Sequence, residues 1–323
     1  MIRNLHGMIP EPLISVIMPC FNNAATITRS VSSALDQSYR NIEVVLVDDG
    51  STDNSRETAF DLRDKDSRLK VVTQSNQGPG PARNRGLMEA RGEFVAFLDA
   101  DDCWDTNCLA RLHAALVRSG ADLAYCGWQN IGKDGRRGEP FIPPDYAGVE
   151  KVELLLGGCR WPIHAALTRR SAIDDVGGFD EQWTSCMDYD LWLRMATTHS
   201  IERVPEVLAY YVHHAGEQIT KNRLRGAVNH WRIQQRFISE HPEVTRKLGR
   251  NRIRKITYGE LLRRAYICYW DRDLDTAHKL FRIVMKGGYG KVSDWKYLAP
   301  ALLPMRWYRG VIKWADNTAG DER

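Results

Sequence analysis

Long apolar runs are missing from this sequence of 323 residues. Its apolar stretches are short, as in Val44–Val47, whereas a helix that crosses a bilayer needs about 20 consecutive apolar residues. The stretch Met1–Ile14 is broken by charged residues and prolines, and it contains no apolar core of a signal peptide. We therefore expect the chain to stay in the cytoplasm.

Paired cysteines and a strong charge of either sign are also missing. The seven cysteines are scattered without any Cys-X-X-Cys pair, so we expect neither a disulfide framework nor a zinc site. The net charge of +4 is too small to indicate a general nucleic-acid-binding protein. A composition with 43% apolar and 27% charged residues is typical of a globular protein rather than a disordered chain.

Short apolar segments alternate with segments of helical spacing in the first third of the chain. The predicted strands are Leu13–Met18, Ile42–Val47, Leu69–Thr73 and Phe94–Leu98, and the predicted helices are Ala24–Gln37, Asp53–Arg63 and Ala82–Ala90. This alternation is typical of βαβ units, in which helices flank a mainly parallel sheet. Ligands of such sheets bind beyond the carboxyl ends of the strands, so the residues that follow the strands are candidate site residues.

Three of the four predicted strands end in polar clusters: Pro19–Asn22, Asp48–Ser51 and Asp99–Asp102. Two carboxylates two residues apart, Asp99 and Asp101, repel each other unless a cation neutralises them, and hard oxygen ligands suit Mg²⁺ or Mn²⁺. The alternative is an acidic turn that caps the following helix. The second cluster offers a carboxylate to a nucleobase or a ribose, or is an ordinary Asp-Gly turn.

A glycine-rich segment, Asn76–Gly86, precedes and enters the third predicted helix. It places Arg83 and Arg85 in the first turn of that helix. Helix N-termini and arginines both favour phosphate groups, so this segment is a candidate diphosphate site.

The chain changes character after Lys221. The segment Lys221–Arg264 has 13 basic and 3 acidic residues and helical periodicity. Such a segment is usually a solvated face, but it also suits attraction to anionic lipid headgroups. We predict a domain at 1–220, with a donor-binding half at about 13–130 and an acceptor half at about 149–220, followed by a basic helical region at 221–323. Within the first domain we expect a mobile loop at Gly132–Gly148, a helix at Val149–Leu156, a strand at Ile163–Thr168 and a helix at Tyr189–Thr197.

The ordered set of motifs resembles the family 2 glycosyltransferases, which have the GT-A fold. The matching segments are Val16–Asn22, Val47–Asp53, Asn76–Gly86, Phe97–Asp102, Gly177–Glu181, Asp188–Arg194 and Tyr211–His214. The resemblance covers about Ile14–Lys221. It implies a GT-A type, Rossmann-like mixed and mainly parallel α/β sheet flanked by helices, with the C-terminal helices as an appendage.

The resemblance also implies roles for single residues. Pro19, Phe21, Asn22 and Asp49 are expected to line the donor nucleoside, Arg83 to face the diphosphate or donor sugar, Asp99 to meet the ribose, Asp101 and His214 to hold Mn²⁺ or Mg²⁺, and Asp188 to be the general base. Three residues depart from the family's pattern: Met187 replaces an acidic residue, Val212 an arginine, and Cys20 a smaller or more polar residue. Met187 leaves Asp188 as the only carboxylate of the usual pair.

The expected activity is inverting transfer of a sugar from a nucleotide-diphosphate sugar, with a UDP-sugar favoured, to a hydroxyl of a saccharide or lipid-linked saccharide. Such an enzyme builds a cell-surface polysaccharide or glycolipid, in the cytoplasm or peripherally on the membrane's inner face. The alternatives are a catalytically silent sugar-nucleotide-binding or scaffold protein and, less favoured, a nucleotidyltransferase. A dehydrogenase is disfavoured because no Gly-X-Gly-X-X-Gly follows the first strand. No nucleic-acid partner is expected.

Overall fold

The computed structural model describes residues 11–148, 150–213 and 221–320, with side chains as far as 314. The strands are β1 (Ile14–Cys20), β2 (Ile42–Asp49), β3 (Leu69–Gln74), β4 (Phe94–Phe97), β5 (Cys103–Trp104), β6 (Leu123–Ile131), β7 (Arg137–Phe141), β8 (Ala166–Arg169) and β9 (Ile201–Val212). The helices are α1 (Ile27–Leu35), α2 (Ser55–Arg63), α3 (Pro79–Glu89), α4 (Cys108–Ser119), α5 (Lys151–Gly157), α6 (Arg170–Asp175), α7 (Met187–Met195), α8 (Arg223–Glu240), α9 (Pro242–Leu248), α10 (Arg250–Trp270), α11 (Leu274–Lys286), α12 (Trp295–Leu298) and α13 (Met305–Gly320).

The described residues form two compact units. One runs to Leu155 and resumes at Cys159, and the other contains Leu156–Gly158 and the chain from Lys221 onward. The first unit contains a mixed sheet in the order β3-β2-β1-β4-β8-β6-β9-β5, with β7 paired to β6. The predicted class, an α/β fold with C-terminal helices, is confirmed.

The parallel half of the sheet fixes where the polar clusters meet. β1 pairs in parallel with β2 on one side and β4 on the other, and β2 continues to β3. Every residue of β1 and β2 is buried, as expected for strands covered on both faces. Because these strands are parallel, their carboxyl ends lie at one edge. The order of strands reverses at β1, which is where such sheets bind ligands.

Helix α3 lies close against β1 because of one glycine. A Cβ at Gly86 would overlap the side chain of Ile17. The last glycine of the glycine-rich segment therefore sets the distance between α3 and the sheet, and with it the position of the other residues on α3.

The other half of the sheet is mixed, with β6 parallel to β9 and the remaining pairs antiparallel, and it was harder to predict. The expected mobile loop at Gly132–Gly148 is wrong in part, because Arg137–Phe141 forms β7 and pairs with β6. All five β7 residues are exposed, so no apolar alternation marked the strand. The expected strand Ile163–Thr168 begins later, at Ala166, after a 3₁₀ turn at Ile163–Ala165. The predicted helix at Val149–Leu156 corresponds to α5, Lys151–Gly157, and residue 149 lies outside the described residues.

The second unit is helical and has its own apolar core. Residues from α8, α10, α11 and α13 contribute to this core, including Ala265, Phe281 and Tyr308. None of the helices in the described part of the chain combines the length and apolarity that crossing a bilayer requires. The seven cysteines are free thiols.

Candidate active site

The turn Asp99–Asp102 follows β4 at the carboxyl edge of the sheet, and α1 holds its backbone. The Thr26 hydroxyl donates to the carbonyl of Ala100 over 2.8 Å, and Arg29 Nη2 donates to the carbonyl of Asp101 over 2.7 Å. These contacts fix the shape of the turn while leaving its carboxylates to other partners.

The three carboxylates of this turn form a cluster. One oxygen from each of Asp99, Asp101 and Asp102 lies within 4.8 Å of the others. An all-oxygen set of acidic ligands has the chemistry that Mg²⁺ and Mn²⁺ prefer, so these residues fit the implied metal. Asp99 and Asp101 are half-buried, whereas Asp102 is buried. The first two are therefore better placed to meet a ligand from solvent.

Asp102 forms a buried ion pair with a histidine that comes from far along the chain. His164 Nδ1 lies 2.9 Å from Asp102 Oδ2, and both side chains are almost fully buried. The other carboxylate oxygen, Oδ1, accepts the backbone N–H of Val212 over 2.9 Å. Asp102 therefore connects the acidic turn to the 3₁₀ turn at Ile163–Ala165 and to the end of β9.

The electrostatics favour a charged His164. Burial alone would lower the pKa of this histidine, but Asp102, with Asp99 and Asp101 nearby, raises the pKa overall. The indole Nε1 of Trp104 also donates to the His164 carbonyl over 2.6 Å. These contacts hold the His164 side chain against the carboxylate of Asp102.

His164→Gln is expected to destabilise the protein by about 3–5 kcal/mol, because it leaves the buried Asp102 carboxylate without its cation. Urea-induced unfolding measures this change. The double variant His164→Gln/Asp102→Asn removes both charges and is expected to recover most of the loss. If the free energy of unfolding of His164→Gln lies within about 1 kcal/mol of that of the parent protein, the ion pair does not stabilise the fold.

Arg83 lies on α3 beside the acidic turn. Its Nη2 donates to Asp99 Oδ1 over 2.5 Å, and the guanidinium lies over the ring of Phe179 at 5.6 Å from the centroid. Only 5% of Arg83 is exposed. The structure thus brings two predicted donor-site residues, Arg83 and Asp99, into direct contact and holds a buried cation at the sheet's carboxyl edge.

Asp188 is the second residue of α7. The residue before the helix, Cys186, has φ 60°, a left-handed conformation that is uncommon for a non-glycine residue and sets the direction in which α7 begins. Burial raises the pKa of Asp188, and neighbouring Asp99 raises it further, while the backbone N–H of Tyr189 and the charge of Arg83 act in the opposite direction. A carboxylate with a raised pKa is a stronger proton acceptor than an ordinary aspartate.

Asn84 connects α3 to the turn that precedes α7. Its side-chain amide donates to the Phe179 carbonyl over 2.8 Å, and its carbonyl oxygen accepts the Phe179 N–H over 2.9 Å. Asn84 follows Arg83 directly in the sequence. The same helix therefore positions both Arg83 and the chain leading to Asp188.

The predicted nucleoside residues lie in the loops after β1 and β2. Pro19 is buried in β1, whereas Phe21 is 45% exposed at the end of that strand. Asn22, with φ 54°, accepts the Thr52 N–H over 2.8 Å and so joins the two loops. These contacts hold the first two loops together at the carboxyl edge.

Asp49 is committed to a neighbouring loop. Its Oδ1 accepts from the Gln74 side chain and the Gln77 N–H, and its Oδ2 accepts the Gly78 N–H, over 2.7–2.9 Å. Three of about four acceptor positions on the carboxylate are thus occupied by the protein. The structure shows Asp49 fixing the start of the glycine-rich segment.

Sequence reasoning missed several residues that build the site. Asp102 and Asn84 lie inside the singled-out segments Asp99–Asp102 and Asn76–Gly86 without a predicted role of their own. Thr26, Arg29 and His164 have no definite role in the sequence-based prediction. All five act through contacts between residues distant in sequence, which no local pattern reveals. The predicted metal ligand His214 lies outside the described residues.

The chain has relatives among known proteins. The profile described as Glycosyl transferase family 2 matches residues 15–177. The chain is 32% identical over 193 residues to the Escherichia coli UDP-Glc:alpha-D-GlcNAc-diphosphoundecaprenol beta-1,3-glucosyltransferase WfgD, which covers 59% of this chain and 73% of WfgD. Matches to several other curated relatives span only 48% to 66% of the relatives' length.

Two solved structures have a similar fold. Staphylococcus aureus TarS 1-349, in complex with UDP-GlcNAc, has a TM-score of 0.57 at 20% identity and covers 94% of this chain and 92% of the TarS chain. The mannosyltransferase PcManGT from Pyrobaculum calidifontis, in complex with GDP-Man and Mn²⁺, has a TM-score of 0.56 at 20% identity and covers 98% of this chain and 89% of the other. At this identity the likeness shows the fold, whereas the profile match spans half of the sequence. The chain belongs to glycosyl transferase family 2.

Proposed function

We propose that this protein is an inverting glycosyltransferase that moves a sugar from a nucleotide-diphosphate sugar to an acceptor hydroxyl. The observation that carries the proposal is the cluster of Asp99, Asp101 and Asp102 beside the buried Arg83, at the carboxyl edge of a parallel sheet. Acidic residues for a cation and an arginine for an anion, in contact with each other, suit a metal-bound diphosphate.

Donor binding is assigned to the loops at the carboxyl edge. Phe21 offers an exposed ring for a nucleobase, Pro19 lies near the end of β1, and Asn22 and Asp49 hold the loops at this edge. Asp99 meets the ribose. Arg83 exchanges part of its contact with Asp99 for the diphosphate, which replaces one anionic partner with another and keeps the guanidinium paired.

Asp101 is the proposed metal ligand of the turn, and His214 completes the ligand set by the family's pattern. Mn²⁺ or Mg²⁺, when bound, supplies positive charge that stabilises the diphosphate leaving group. PcManGT was solved with Mn²⁺, which supports manganese as the first ion to test. Arg83 contributes a second positive charge on the protein side, and its burial makes that charge more effective than it would be in water.

Asp188 is the proposed general base. It removes the proton from the acceptor hydroxyl as that oxygen attacks the anomeric carbon from the face opposite the diphosphate. A single displacement of this kind inverts the configuration and needs no covalent intermediate. Its raised pKa suits proton acceptance, and α7 holds the carboxylate in a fixed position.

The relatives support a proposal for the donor and the acceptor. TarS was solved with UDP-GlcNAc, and WfgD is a UDP-Glc transferase that acts on a diphosphoundecaprenol-linked sugar. We infer a UDP-sugar donor and a saccharide or lipid-linked saccharide acceptor, in the synthesis of a cell-surface polysaccharide or glycolipid. A silent sugar-nucleotide-binding protein is the main alternative, and a nucleotidyltransferase is less favoured.

The test is release of nucleotide diphosphate from a panel of UDP- and GDP-sugars in the presence of Mn²⁺. Slow donor hydrolysis is expected with one or a few of them even without acceptor. A silent binder would bind a donor in calorimetry and release nothing, and a nucleotidyltransferase would release pyrophosphate from a nucleoside triphosphate and sugar phosphate. Stereochemistry is read by proton NMR of the glycosylated product.

A peripheral position on an anionic membrane is part of the proposal. The stretch at residues 246–255, hereafter the basic stretch, presents six exposed cations without an acidic residue: Arg246, Lys247, Arg250, Arg252, Arg254 and Lys255. Further along the predicted basic segment, Glu260 forms ion pairs with Arg263 and Arg264 and offsets part of the positive charge there. Each cation near an anionic lipid surface contributes about 1 kcal/mol, so the basic stretch is the part that suits attraction to a membrane.

A further inference from the structure

Exposed tryptophans are concentrated in the last helices of the second unit. Trp270, Trp295, Trp307 and Trp314 each expose between 52% and 69% of their surface. The other tryptophans in the described part of the chain are buried or half-buried. Large exposed aromatic side chains that share one face mark an interaction surface, and of these four Trp307 and Trp314 lie on the same helix, α13.

Helix α13 carries two of these tryptophans on one face. Trp307, Val311 and Trp314 follow a spacing of four and three residues, which aligns them in a stripe along the helix. Tyr308 and Ile312 are buried against the core of the second unit. At about 100° per residue, the exposed stripe lies roughly 100° around the helix from the buried pair. The helix therefore has one apolar face buried against the core of the second unit and a second apolar face that is exposed.

Positive charge borders the exposed stripe. Arg306 and Lys313 are exposed and fall on the same side of the stripe, whereas Arg309 is engaged in an ion pair with Asp275. Between Met305 and Trp314 the sequence contains three basic residues and no acidic residue. The stripe with its basic border will be called the tryptophan face.

The chemistry of the tryptophan face matches the headgroup region of an anionic bilayer. Tryptophan prefers the boundary between apolar chains and water, because its ring is apolar and its N–H is polar. Basic residues beside it meet anionic phosphates. A second copy of this chain is a poorer match, because face-to-face packing would bring Arg306 and Lys313 against the same cations.

We propose that the tryptophan face inserts into the headgroup region of an anionic membrane and anchors the second unit there. The proposal rests on the membrane attachment proposed for the basic stretch and adds an apolar contact to it. It does not depend on the donor, the metal or the acceptor. Two contacts of different kind would hold the protein on a membrane more firmly than charge alone.

The experiment measures co-sedimentation of the full chain with vesicles of phosphatidylglycerol and phosphatidylcholine. At high salt, where screening weakens the basic stretch, the remaining binding is expected to depend on α13. The variant Trp307→Ala/Trp314→Ala is expected to lose that binding by about tenfold or more, and Trp307→Phe/Trp314→Phe to retain most of it. Trp270→Ala is the matched control, because Trp270 is equally exposed but lies on α10. Brominated lipids are expected to quench tryptophan emission in the parent chain and less in the alanine variant.

The outcomes separate this inference from the others. Equal binding by the parent chain and the alanine variant overturns it, and so does an equal loss with Trp270→Ala. A parent chain that binds no vesicles, but whose dimer or complex with an acidic protein is lost in the alanine variant, assigns the face to that partner instead. Release of nucleotide diphosphate in the absence of vesicles tests the proposed transferase activity separately and is expected to be the same in every variant.

Discussion

Asp188→Asn is expected to lower the turnover number by roughly 10²- to 10⁴-fold, the usual cost of losing a general base. The amide keeps the size of the side chain but accepts no proton. Donor affinity is expected to stay close to that of the parent protein, because the proposed donor contacts lie on other residues, Phe21 and Arg83 among them. Turnover and donor calorimetry on the same purified variant provide both measurements.

The pH profile adds a second readout for Asp188. Because burial raises its pKa above the ordinary 3.8, activity on the acid side is expected to fall at a higher pH than for an exposed aspartate. The asparagine variant is expected to lose this dependence. Asp61→Asn, an exposed change on α2, serves as the control. Near-normal turnover by Asp188→Asn would remove it as the base, and equal loss of donor affinity would make it a donor-site residue.

Asp101→Ala is expected to abolish most metal-dependent activity, a loss of at least about 10²-fold. The variant removes one carboxylate of the acidic cluster, while Thr26 and Arg29 continue to hold the turn through its backbone carbonyls. The protein is therefore expected to remain folded. Turnover over a Mn²⁺ titration, with thermal unfolding alongside, measures both effects.

Asp61→Ala provides the matched control for the metal experiment, since it removes an exposed carboxylate away from the acidic cluster. Its Mn²⁺ requirement is expected to equal that of the parent protein. Full turnover by Asp101→Ala in excess EDTA would show that the reaction needs neither the ion nor this ligand. That result would overturn the metal assignment and leave Arg83 as the source of positive charge.

The parallel half of the fold could be predicted because its signals are local. Buried strands such as β1 and β2 are mostly apolar, with Ser15 and Glu43 as interruptions, and helical spacing marks the segments between the strands. The mixed half of the sheet, from β8 to β5, gives weaker signals. β5 has two residues and pairs with the distant strand β9, whereas β7 exposes every side chain and is defined by its pairing with the preceding strand β6.

The residues of the candidate site also fall into those with a local sequence pattern and those that meet only in the folded chain. Asp99 and Asp101 were predicted because two carboxylates at the end of a strand form a local pattern, and Arg83 because it accompanies a glycine-rich segment. The expected place of Arg83 in the first turn is wrong, because α3 begins at Pro79 and Arg83 lies in its second turn. The ion pair between Asp102 and His164 was not, because the two residues meet only when β4 and the 3₁₀ turn at Ile163–Ala165 are folded together. The one available signal was Asp102 itself, a third aspartate next to Asp99 and Asp101, which indicates that a positively charged side chain lies nearby.

The double hydrogen bond from Asn84 to Phe179 has a consequence for protein engineering. A change of donor sugar or acceptor is usually sought by randomising the loops around a binding cleft. Here the side chain of Asn84 fixes the position of Arg83, proposed to bind the donor, relative to the segment that leads to Asp188, the proposed base. Substitutions at position 84 would move the donor-binding arginine and the proposed base relative to each other. A search for new specificity should therefore keep this asparagine constant.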